Sequence, residues 1–380
     1  MSPPRRLRSL DVFRGLTVAA MILVNSPGGD AVFAPLRHAD WHGCTPTDLI
    51  FPAFLVIMGV SAVFSDAARR ERGEPPAATA RRIAARAAML VALGLLVNLF
   101  LYHGRDGLRF TGVLQRIALC WLAVEAFLRL DRPAFEPIAA VALLLGYQLL
   151  LGGDMTRDGN FAYRLDARIF NGRLLDDPWG DPEGLTSTLG AVATALLGLM
   201  AGRRLVRDGP AAAGALGAAG LGLAALGAAW SALLPLNKHL WTSSYAVFAG
   251  GLSLAGLALC LRLVEARPAR WARAFEALGR RALAAYVLAG LAYGIQEFVR
   301  VPLPDGSPGN LKLLFTAALF GSWLPPKAAS LAYALAFTGA AAAAAVAVRR
   351  VARGEAPARS EAVGRSPGSV GGSDPRPGGS

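Results

Sequence analysis

The feature that most constrains this chain is the length of its uninterrupted apolar runs. MLVALGLLVNLFLY, PIAAVALLLGYQLLL, LGAVATALLGLMAG and SYAVFAGGLSLAGLALCL each continue without the polar alternation that a water-facing helix or strand needs. Arginine-rich loops separate them. About 20 apolar residues of helix cross a hydrocarbon core, and only helices or closed barrels satisfy their backbone there. The blocks therefore predict an all-α polytopic membrane protein, and a chain that is 54% hydrophobic agrees with this.

About ten spans are predicted, at 10–28, 46–65, 85–102, 111–130, 134–151, 184–201, 211–234, 243–263, 280–299 and 328–348. With the N-terminus inside, most of the 39 Lys and Arg fall in cytoplasmic segments, which supports N-in, C-in. The formal charge of +13 is then a topology signal, and nucleic acid is not an expected partner. Asp11 and Arg14 interrupt the first span early, which argues against a cleaved signal peptide. Three cysteines, Cys44, Cys120 and Cys260, form neither a disulfide framework nor a metal-ligand spacing, and no metal is expected.

The expected organisation is a transmembrane unit over 1–350 and a disordered cytoplasmic tail over 351–380, whose composition is Gly-, Pro- and Ser-rich. Residues 301–327 hold an apolar stretch too short to cross and bounded by Pro and Gly, which predicts an interfacial or re-entrant helix. The long outer loop before the sixth span has no clear periodicity and suits a binding lid. The inner loops are basic and otherwise plain. No internal repeat of the kind that builds two-halved transporters is present.

Chemistry concentrates in LRHADWHGCTPTDLIFPAFLVIMG, at the outer edge of the second span. His38 and His42 flank Trp41, Asp48 follows, and Asn25 closes the first span. A histidine near its ordinary pKa can accept a proton from an amine, or carry an acyl group as a nucleophile. Asn25 offers an amide to an oxyanion, Asp48 can hold the imidazole tautomer, and Trp41 presents a flat face to a sugar ring. The alternative is interfacial decoration, since Trp and His collect at headgroup level.

Arg14 and Arg116 lie within spans, where arginine is costly. Arg14 can snorkel or pair with Asp11. Arg116, beside Gln115, suits the phosphates of a cofactor through its planar fork, with pairing to Glu125 or another acid as the alternative. Two more outer clusters stand out, DPEGL and PLNKHLWTSSY. Glu183 in the first has a structural explanation at a helix start, and Lys238, His239 and Trp241 in the second can form an interfacial belt.

The motifs RLRSLDVFRGLTVAAMILVNSPGG, LRHADWHGCTPTDLIFPAFLVIMG, GVLQRIALC, DPEGLTSTLGAVATALLG and PLNKHLWTSSY, in that order, resemble the heparan-α-glucosaminide N-acetyltransferase family. The resemblance runs from about residue 6 to about residue 350. It implies a multi-helix enzyme that takes acetyl-CoA from the cytoplasmic side and acetylates an amino sugar across the membrane. It makes His38, in H-x-x-W, the catalytic residue, with Asn25 in the same active site. It implies acetyl-CoA contacts at Arg14, Gln115, Arg116 and Lys238. Acceptor contacts fall to Trp41, Asp48, Glu183, Asn237 and Trp241. A homodimer is also implied.

Two departures from the family accompany this. His42 stands where asparagine is more common, and the luminal N-terminal region of the lysosomal enzyme has no counterpart ahead of the first span. The Ala-, Gly- and Arg-rich composition points to a bacterial inner membrane and a glucosamine-containing envelope glycan as acceptor. Direct transfer, with His38 as base, is the expected mechanism, and an acetyl-histidine intermediate is its alternative. A permease for an anionic or sugar solute is the rival function, and an envelope scaffold a third.

Overall fold

The computed structural model describes residues 7–101, 108–171, 173–175, 180–266, 270–304 and 306–352. The tail expected to be disordered lies almost wholly outside the described residues. Each of the ten stretches expected to span is helical. They are α1 (Arg8–Asn25), α2 (Ile50–Glu71), α3 (Pro76–Leu101), α4 (Val113–Leu130), α5 (Phe135–Leu151), α7 (Thr188–Asp208), α8 (Ala213–Trp230), α9 (Ser243–Glu265), α11 (Ala282–Phe298) and α13 (Pro326–Ala352). Among the described residues, five helical stretches are long and apolar enough to cross a membrane. One of these is the continuous 43-residue run formed by α7 and α8.

Three elements depart from the sequence expectation. The long loop ahead of α7 carries a helix, α6 (Phe161–Phe170), whose start is capped by Asn160 accepting from the Tyr163 amide at 2.8 Å. The basic loop after α9 carries α10 (Ala272–Gly279), packed against α1. The region 301–327 is not helical from its start. Arg300–Pro302 (β1) and Pro308–Asn310 (β2) pair as an antiparallel ribbon before α12 (Leu311–Thr316). Here Pro and Gly break the helix that hydrophobicity alone suggested.

The core centres on α2, where Leu55, Val56, Ile57 and Val60 are buried. It meets α7 at glycines: a Cβ on Gly59 would lie 2.3 Å from the Ala195 carbonyl, and one on Gly198 2.2 Å from that of Val56. Small residues let two backbones approach without side chains between them, a common basis for helix association in lipid. Outer surfaces are apolar, with Leu99, Leu149 and Leu221 exposed. Hydrocarbon covers such a surface at no cost, whereas water would not. Charges at one end of α2 and α4 neutralise one another. Arg69 bonds both oxygens of Glu125 (3.0 and 2.9 Å), and Arg129 bonds Asp66 at 2.6 Å and Glu125 at 2.7 Å. Glu125 is thus taken, and is not the partner of Arg116.

Candidate active site

The site begins with the cap of α2. Thr45 and Asp48 form a capping box around the short 3-10 turn Pro46–Leu49 that leads into the helix. Asp48 Oδ2 accepts from the Thr45 amide (3.0 Å), the Thr45 hydroxyl (3.0 Å) and the Ala39 amide (3.1 Å). That leaves Oδ1, which lies 2.6 Å from His38 Nδ1. The ionised carboxylate only accepts, so the proton of a neutral His38 sits on Nδ1 and the lone pair on Nε2. Asp48 is fully buried, and Tyr245 donates to its carbonyl at 2.6 Å. His38 is open, with 43% of its side chain exposed.

A second chain segment brings Lys238 to the same place. The turn Asn237–Thr242 closes through Thr242 N to Asn237 O (3.1 Å) and Leu240 N to Asn237 Oδ1 (2.8 Å). Trp241 takes a left-handed φ of 51° within it, costly for a bulky residue unless its surroundings fix it. Its buried ring does so, edge-on to Phe51 and Tyr245, with Nε1 donating to Thr194 at 3.1 Å. The turn presents Lys238 Nζ 3.0 Å from His38 Nδ1, 3.3 Å from Nε2 and 3.7 Å from Asp48 Oδ1. Burial lowers the pKa of the Lys238 ammonium below the ordinary lysine range, with the Glu183 and Asp48 carboxylates opposing it.

These groups line a cavity of about 680 Å³, a size that accommodates a sugar and an acyl carrier's end. Asn25, His38, Glu183 and Lys238 all contribute to its wall, with Asp48 directly behind His38. Arg109, also on the wall, grips Asp181 through two bonds (2.7 and 2.6 Å) and Glu183 at 2.7 Å. Burial alone would raise the Asp181 carboxyl, but the charge and bonds of Arg109, with the Thr111 hydroxyl, hold it below the usual carboxylate range.

The remaining candidates lie elsewhere. Trp41 is not on this wall: Nε1 donates to Met155 O (2.7 Å), and Tyr163, His239 and Arg157 surround its ring. Asn237 is wholly buried, and its Nδ2 donates to His42 Nδ1 at 3.3 Å. His42 is thereby engaged away from the cavity wall, while His38 is on it. Arg116 is buried, donates to Gly184 O (3.0 Å) and Ser187, and lies over the Trp241 ring at 5.1 Å. Arg116 Nε and Nη1, and both amide ends of Gln115, have no partner among the described residues. Arg14 bonds Asp11 (2.9 Å) and Ser61 (2.6 Å) toward the start of α1, away from the cavity at that helix's other end.

The sequence reading passed over Asn98, Arg109, Tyr293, Glu297 and Arg300, which also line the cavity. One signal was available. Asn98 interrupts the run MLVALGLLVNLFLY, and a polar side chain within a span asks for partners. It has them, donating to the carbonyls of Arg109 (2.8 Å) and Thr111 (2.7 Å).

A sequence model of the heparan-alpha-glucosaminide N-acetyltransferase catalytic region matches residues 6–161, which include Asn25, His38 and Asp48. Over that segment, the chain is similar to this family. The human heparan-alpha-glucosaminide N-acetyltransferase is 38% identical over 32% of this chain and 19% of its own length. The mouse protein of the same name is 28% identical over 64% of this chain and 47% of its own. The matches thus span less than half of either curated relative. Lys238 and Glu183 fall beyond the matched catalytic region, yet the fold returns both to the cavity that holds its histidine.

Proposed function

We propose that the chain is a transmembrane N-acetyltransferase that moves an acetyl group from cytoplasmic acetyl-CoA to the amine of a glucosamine-type sugar. The acceptor, a glucosamine-containing envelope glycan, lies on the outer side of a bacterial inner membrane, and the working form is a homodimer. The observation that carries the reading is the His38–Asp48–Lys238 cluster on the wall of a sugar-sized cavity shared with Asn25.

In this reading His38 Nε2 takes the proton from the acceptor amine as nitrogen attacks the thioester carbonyl. Asp48 holds Nδ1–H and stabilises the imidazolium that forms. Asn25 donates its amide to the developing oxyanion. The carbon–sulfur bond then breaks, and His38 returns its proton to the departing thiolate, beside the Lys238 ammonium. The partnerless atoms of Gln115 and Arg116 fit the binding of a polar, phosphate-bearing co-substrate, and Arg14 is assigned to its cytoplasmic end. Glu183 is assigned to the acceptor. Trp41, Asn237 and Trp241 serve the acceptor end by shaping the loops around it.

The test is transfer from labelled acetyl-CoA to glucosamine and its oligosaccharides, by wild type and His38→Ala purified in detergent. A positioned base contributes roughly 10²- to 10⁴-fold, so the variant should lose at least that much turnover while melting as wild type does. Equal turnover by both proteins would remove His38 from the chemistry.

A further inference from the structure

The same cavity has a second polar wall, built from the end of α11 and the first residue of β1. Glu297 lies on it with 30% of its side chain exposed. Among the described residues, Lys312 Nζ reaches Oε1 at 2.5 Å and Asn310 Nδ2 reaches Oε2 at 2.7 Å. Both donors are buried. Asn310 is fixed in turn because its Oδ1 caps α12, accepting from the Leu313 amide at 3.0 Å. A carboxylate offers about four acceptor positions, so Glu297 is held in place with capacity left over.

Two neighbours complete the wall. Tyr293 lines it, with its hydroxyl donating to Pro27 O at 3.1 Å and its ring 5.5 Å from Lys312 Nζ. Arg300 also lines it, exposed, and makes no hydrogen bond or ion pair among the described residues. A fixed acceptor, a flat ring and an uncommitted five-donor fork together suit a ring bearing several hydroxyls, each of which both gives and takes a hydrogen bond. We propose that Tyr293, Glu297 and Arg300 form the subsite for the ring hydroxyls of the acceptor sugar, leaving His38 to meet its amine. This rests on the acetyltransferase reading and adds to it the residues that select the acceptor.

Glu297→Gln and Arg300→Gln are compared with wild type for the KM of a glucosamine oligosaccharide, the KM of acetyl-CoA, kcat, and saccharide affinity by calorimetry in detergent. Glu297→Gln should raise acceptor KM and Kd about tenfold, as loss of a charged acceptor's hydrogen bond does. Arg300→Gln should raise them several-fold. Neither should move kcat or the acetyl-CoA KM by more than about twofold, on the same hydrogen-bond reasoning. Unchanged acceptor KM in both variants, with transfer intact, overturns the subsite and leaves the enzyme standing. Should Glu297→Gln fail to fold, having uncovered Lys312, Arg300→Gln decides alone. A wild type that binds the saccharide without transferring to it sinks the acetyltransferase reading, and the Kd values then decide the subsite. A wild type that neither binds nor transfers overturns both.

Discussion

At the scale of the residue, the arrangement around His38 is a matter of which lone pairs are already used. The Thr45 amide and hydroxyl and the Ala39 amide occupy Asp48 Oδ2, so Oδ1 remains for the imidazole, and the tautomer follows. Lys238 adds a titratable neighbour whose ammonium burial disfavours. A lowered lysine pKa means the charge is lost at a lower pH than in a free side chain, for which about 10.4 is usual. Transfer activity should therefore show an alkaline limb below that value. Lys238→Arg, which stays charged throughout, should abolish the limb while keeping activity at neutral pH within about tenfold. An unchanged limb in the arginine variant would assign it to another group.

The elements make separate claims. The contact of α2 with α7 depends on absent side chains, so adding one methyl group should cost more there than in an open position. Gly198→Ala should destabilise by about 1–3 kcal/mol, as overpacking does, and lower the melting temperature in detergent by several degrees. Gly146→Ala on α5 meets nothing within 4 Å and serves as control. In the loop ahead of α7, α6 docks on the start of that helix through Asp166, which accepts from the Thr186 amide (3.3 Å) and hydroxyl (3.0 Å). Burial nevertheless pushes its carboxyl up to about 6.

Between an unfolded value of about 4 and the folded value near 6, the native chain holds the extra proton, so stability falls as pH rises through that window. At neutral pH the buried charge costs about 3 kcal/mol by that displacement. Melting temperatures of wild type and Asp166→Asn, measured from pH 4 to 7, should converge at the acid end only if Asp166 is responsible. Parallel curves would exclude it.

At the scale of the whole molecule, the placing of most basic loops on one side predicts a sidedness. With the three native cysteines replaced, Asp158→Cys should react with an impermeant maleimide added to spheroplasts, and Arg72→Cys only after lysis. The opposite labelling would invert the topology.

The helices were legible because apolar run length is a local property, and all ten expected segments are helical. The juxtaposition of His38 with Asp48 was also legible, since an aspartate ten residues on could hold the imidazole tautomer, and Oδ1 lies 2.6 Å from Nδ1. What was not legible depends on packing between distant segments. Tyr293, Glu297 and Arg300 reach the cavity only because α11 lies beside α1 and α3. Trp41 offered a flat face in the sequence, but its Nε1 is bonded to Met155 O and its ring lies against Tyr163 and His239, off the cavity wall. The helix α6 escaped notice because its ten residues mix charge and apolar groups too briefly for periodicity to show.

The separation of His38 from Lys238 by 200 positions along the chain has a consequence for biogenesis. A nascent polypeptide that has inserted its first four helices already carries the histidine, its aspartate and the asparagine, all within the matched family segment. It has neither the lysine nor, until translation passes residue 312, the buried ammonium that fixes Glu297. The pocket is closed only once α11 and Arg300 have left the ribosome. A half-made or prematurely terminated product would sit in the bilayer with a histidine but without the walls that surround it in the finished protein.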